Sequence, residues 1–123
     1  MAPIDEIADH YVARVAALDP VGATRSGIPG HDAEMTDYSP DGVDARAALI
    51  RDTLGELAGL PRDTDRDRVA TDVMAERLQV SADQYAAGER WRDLRIIGSP
   101  VQAMRECFDL MAYETRDDWE IAA

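Results

Sequence analysis

A chain of 123 residues is one domain, long enough to bury about two thirds of its unfolded surface, and an apolar fraction of 46% argues against disorder. Its 25 acidic side chains outnumber 13 basic ones, all arginine, and the net charge of −12 repels phosphate backbones and anionic lipid. Nucleic acid and membrane surfaces are therefore excluded as expected partners, and the single cysteine, Cys107, excludes an internal disulfide.

Aromatic residues are scarce, so the core has to be built from Ala, Val, Leu, Ile and Met, a composition that suits helix-on-helix packing. The first predicted element is Pro3 to Leu18. Ile4, Ile7, Ala8, Tyr11, Val12, Val15 and Leu18 recur at the spacing of one helical face, and Asp5, Glu6 and Asp9 sit in the first turns, where the helix dipole favours negative charge. Asp19-Pro20 repeats a cap-plus-proline signal, and Val21 to Ser26 adds a short helical turn that Gly27 stops. The whole stretch from Leu18 to Gly42 carries four of the eight glycines and three of the six prolines, without sustained helical periodicity. It reads as a long structured loop between two packed helices.

Ser39-Pro40 opens the next long helix, with Val43, Ala47, Ile50, Leu54 and Leu57 at alternating four- and three-residue steps and Gly59 and Pro61 as its end. RDTDRDR is a linker that runs into a third helix from about Asp65 to Ala87, capped by Thr64 or Asp65. Its expected inner stripe is Val69, Val73 and Leu78, with Met74 beside it and Val80 and Tyr85 later, and Gly88 is its stop. Residues 89–98, with Trp91, Leu94, Ile96 and Ile97, are expected to form a buried connector. Ser99-Pro100 starts a fourth helix with a capping box completed by Gln102, and Val101, Met104, Phe108 and Met111 are its expected inner face. Thr115 and Asp118 form a similar box for a fifth helix, Arg116 to Ala123, which stops after two turns. A helix that short is marginal without packing partners. The fold class expected is all-α, an irregular array of four main helices plus a truncated fifth. The region 1–123 is expected to be the N-terminal fragment of a longer protein whose missing C-terminal part is its partner.

The sequence holds no complete catalytic or metal-binding constellation. His10 has only Glu6 at ligand spacing, and zinc normally takes several His or Cys ligands. Ser26 and Ser99 lack a nucleophile elbow or a paired base, and no glycine-rich phosphate loop is present. The best candidates are in the loop: His31 and Asp32, which follow Gly-Ile-Pro-Gly, and Asp37 and Tyr38 further on. A carboxylate beside an imidazole can orient it for proton transfer, and a loop can present both to a cleft. A turn in which these side chains cap local amides is the competing reading.

In order and spacing, LDPVGATRSGIPGHDAEMTDYSPDG, RDRVATDVMAERL, DLRIIGSPVQAMRECFDLM and ETRDDWE resemble the N-terminal region of the bacterial "domain of unknown function 885" family in its actinobacterial form. The resemblance implies a longer, mostly helical protein similar to zinc metallopeptidases of the gluzincin type. The metal motif it implies, a His-Glu pair followed shortly by Pro-Gly-His, lies beyond this chain. Gly27-Ile28-Pro29-Gly30-His31 copies only the tail of that motif, with Arg25 and Ser26 where His and Glu would stand, so it is rejected as a zinc site. The function expected from the resemblance is a helical scaffold of a zinc-dependent peptidase or hydrolase, cytoplasmic and inactive alone. The alternative is a complete small acidic helical module that binds a protein partner.

Overall fold

A computed structural model describes residues 1–123 as helices and connections without a strand. The helices are α1 (Pro3–Leu18), α2 (Pro20–Arg25), α3 (Pro40–Ala58), α4 (Asp65–Ala86), α5 (Pro100–Leu110) and α6 (Arg116–Ala122), with a 3-10 turn at Glu89–Arg92. Local chemistry sets the starts. Side-chain oxygens of Asp19, Ser39 and Thr64 accept from Gly22, Gly42 and Asp67 backbone amides, and both capping boxes form, Ser99 with Gln102 and Thr115 with Asp118. Gly88, at φ 73°, turns the chain out of α4 in a left-handed conformation that side chains rarely adopt.

The main packing unit is α1, α3 and α4, whose buried centre is Ile4, Ile50, Leu57 and Leu78. A second contact joins the short α2 to α5. On α2, Val21 and Ala23 are buried, and α5 contributes Cys107. No helix is long and apolar enough to cross a membrane.

Three expectations are corrected. The inner face of α4 is formed by Ala70, Thr71, Met74, Ala75, Leu78, Ala82 and Tyr85, all buried or half-buried. Val69, Val73 and Val80 lie on the opposite side and are exposed. At 100° per residue the two stripes are about half a turn apart, and the face that carries Leu78, Met74 and Tyr85 together with the alanines is the one packed on the core. On α5 the inward residues are Ala103, Met104 and Cys107, whereas Val101 and Phe108 lie to one side and are exposed. Finally, 89–98 is not buried: Trp91, Leu94, Ile96 and Ile97 are all exposed, Ile96 to 92%. The Gln102 amide donates to the Ile96 carbonyl at 2.7 Å, which ties the connector's backbone to the first turn of α5. With no other element packed over it, its side chains project into solvent.

Only 18 of 123 residues are buried, and the chain exposes 8211 Å². An ordinary monomer of 13.5 kDa exposes about 6,500 Å². The excess is roughly a quarter, and the 89–98 connector, α5 and α6 present Leu94, Ile97, Val101, Leu110, Trp119 and Ile121 to solvent.

Candidate functional site

The loop after α2 is folded by its own polar residues. Asp19 Oδ1 accepts from the Gly22 amide at 3.1 Å and from the Thr36 hydroxyl at 2.5 Å, while Thr36 Oγ1 accepts from the Val21 amide at 3.1 Å. Thr36 is 4% exposed, so this network pins the far end of the loop to the start of α2. From α3, Arg46 Nη1 donates to the Asp37 carbonyl at 2.7 Å and the Leu18 carbonyl at 3.4 Å, which clamps both ends of the connection.

The structure divides the four candidate residues. Asp32 Oδ1 accepts from the Thr24 hydroxyl at 3.0 Å. His31 Nδ1 is 3.4 Å from Glu34 Oε1 but poorly aligned with it, so this buried nitrogen has no hydrogen-bond partner. Asp37 Oδ1 accepts from the Ser39 amide at 2.8 Å, and hydrogen bonds from Ser39 hold its carboxyl below the usual carboxylate range. Tyr38 alone lines a cleft. Burial pushes its phenol above the ordinary value, with the neighbouring Thr36 hydroxyl opposing the shift. His31 and Asp32 are therefore separated from Tyr38: Asp32 braces the loop through Thr24, His31 does not line the cleft, and Tyr38 does.

Zinc does not fit here. No three His, Cys, Asp or Glu side chains group closely enough to hold a metal ion. The Pro-Gly-His sequence offers His31 with Glu34 beside it, and Arg25 is engaged by Glu106 at 2.8 Å.

The cleft has a volume of about 490 Å³. Its walls include Tyr11 of α1, Thr36 and Tyr38 of the loop, Arg46 of α3, Tyr85 of α4, and Arg90 and Trp91 of the 3-10 turn, with α2 and α5 completing it. Tyr11 is also shifted upward, by burial first and then by Tyr85. Arg46 lies 6.0 Å from the centre of the Tyr38 ring, and Arg90 lies 4.9 Å from that of Tyr85, within cation–π range. Sequence reasoning did not single out Arg46 or Arg90. Neither belongs to a motif, and only the tertiary fold brings them to one cavity. The one available signal was the surplus of acid, against which any arginine without a carboxylate partner stands out.

No curated protein matches the chain. The family described as "Bacterial protein of unknown function (DUF885)" matches residues 20–123, which is everything from α2 to α6. With all but the first helix inside that match, the chain belongs to the DUF885 family.

Proposed function

We propose that the chain is the N-terminal helical scaffold of a longer, cytoplasmic, actinobacterial-type DUF885 polypeptide that acts as a zinc-dependent peptidase. In this reading α1, α3 and α4 form a rigid wall, and the loop holding His31, Asp32, Asp37 and Tyr38 shapes access for a peptide substrate. The metal and its ligands belong to the further polypeptide.

The observation that supports this reading is the surplus of exposed surface. A chain that shows about 1,700 Å² more than its mass requires has left over twice the roughly 800 Å² that one partner contributes to a standard protein–protein interface. Nine of its 15 exposed large hydrophobic residues fall in the 89–98 connector, α5 and α6. Surface of that kind marks a place where other protein docks.

The test uses two polypeptides. The chain 1–123 alone should neither bind zinc in calorimetry nor cleave peptides. The product of the longer reading frame should carry His-Glu followed by Pro-Gly-His after Ala123, and should cleave peptides until a chelator is added. Tight stoichiometric zinc binding by 1–123, or a longer product without the motif, would overturn the proposal.

A further inference from the structure

Nine of the 13 arginines are paired with a carboxylate: Arg14, Arg25, Arg62, Arg66, Arg68, Arg77, Arg92, Arg95 and Arg116. In a chain with nearly two acids per base, that is the natural fate of an arginine. Arg46, Arg51, Arg90 and Arg105 are the exceptions, and two of those four, Arg46 and Arg90, line the same cleft. Arg46 spends only Nη1 on backbone carbonyls, so its Nε and Nη2 donors have no acceptor in the protein. Arg90 has no acceptor at all and rests on the Tyr85 ring.

The acids in the cleft do not supply the missing partner. Asp19 Oδ1 is engaged by Thr36 and Gly22, and Asp93 Oδ1 is engaged by Arg95. What remains open toward the cavity is guanidinium flanked by aromatic rings. A planar guanidinium fork matches a carboxylate, and rings of Tyr11, Tyr85 and Trp91 suit an apolar body. The two nearby aspartates weigh against a dianion such as a phosphate monoester, since like charges at short range repel. The volume is in the range of small-molecule sites.

We propose that this cleft binds a carboxylate carried on an aromatic or aliphatic body, with Arg46 and Arg90 as its anion-binding pair. The carboxylate comes either from the C-terminus of a peptide or from a free carboxylic acid. The site needs no metal, so it stands or falls separately from the zinc peptidase reading.

The experiment titrates the 1–123 chain with N-acetyl-phenylalanine and, separately, with its amide, following arginine side-chain and Trp91 indole resonances by NMR. The carboxylate should saturate those resonances at millimolar concentration, and the amide should bind about tenfold more weakly or worse. Arg90→Gln should lose affinity to the same extent. It makes no backbone clamp, so its folding is not at stake, whereas Arg46→Gln is interpreted only alongside an unchanged thermal transition. Arg51→Gln, an unpaired arginine outside the cleft, should bind as the parent does. An N-acetylated dipeptide ending in phenylalanine that binds more tightly than the single residue supports a peptide terminus as the source, and equal affinity supports a free acid. Equal binding of acid and amide, undiminished binding by Arg90→Gln, or no saturable shift at millimolar ligand would overturn the proposal.

Discussion

Gly42 and Gly55 occupy the same helix and answer to opposite constraints. A Cβ at Gly42 would sit 2.2 Å from the Asp37 carbonyl oxygen, which is itself held by Arg46, so backbone would have to move. A Cβ at Gly55 meets nothing within 4 Å. Gly55→Ala should therefore raise stability by roughly 0.5–1 kcal/mol, the usual gain of alanine over glycine inside a helix. Gly42→Ala should lower stability despite the same gain in propensity. Urea midpoints of the two variants check the opposite signs.

Charge gives a second expectation. Asp118 is held below the ordinary carboxylate range by hydrogen bonds from Thr115, first from its backbone amide and then from its hydroxyl. The Arg66 side chain, 2.7 Å away, does the same for Asp5. A carboxyl whose folded-state pKa is below its unfolded value stabilises the fold above the unfolded value, and that contribution disappears as pH falls through the lowered one. The loss should begin near pH 4, about the ordinary aspartate value, and continue below it. Asp118→Asn should flatten this acid limb in urea titrations at several pH values, and an unchanged limb would assign the acid sensitivity elsewhere. Tyr11 and Tyr38 act at the other end. Their raised values mean stability that is complete below about pH 10 and declines as pH rises through the folded-state values.

Helix boundaries proved legible because their causes are local. Asp19, Ser39, Thr64, Ser99 and Thr115 each cap amides within three residues, and proline follows three of them directly. Which face each helix buries was less legible. On α4, valine at 69, 73 and 80 suggested a stripe, yet the buried face is the one with Leu78, Met74 and Tyr85 among alanines, because those positions lie on one side of the helix with Leu78 at the core. Val73 separates the two readings, and Leu78, on the inner face in both, is its reference. Leu78 is 5% exposed in the central cluster, and Leu78→Ala should cost about 2–5 kcal/mol. Val73 is 56% exposed, and Val73→Ala should stay within about 0.5 kcal/mol. Denaturant unfolding of both variants decides the matter. The cleft was the least legible feature. Tyr38 was visible as a polar residue in a structured loop, but Arg46 and Arg90 are far apart in sequence and come to line one cleft only through the tertiary fold.

The folded chain is uneven. The group α1, α3 and α4 has a buried centre, while α6 has no buried residue and α5 has one, Cys107. Trp119 packs against Tyr113 with ring centres 4.6 Å apart and planes tilted by 45°, yet remains 60% exposed. Few buried contacts mean low local stability, because such segments open at little cost. In the proposed reading, α5, α6 and the connector before them pack against further protein. The acidic surface elsewhere keeps the molecule from associating through its charged faces.

Amide hydrogen exchange of residues 93–123, compared between the 1–123 chain and the proposed longer polypeptide, tests that arrangement most directly. The account predicts rapid exchange through α5 and α6 in the chain alone, slower exchange in α3 and α4, and a large gain in protection of α5 and α6 in the longer protein. Equal protection of α5 and α6 in both, with their apolar side chains equally open to solvent, would contradict it.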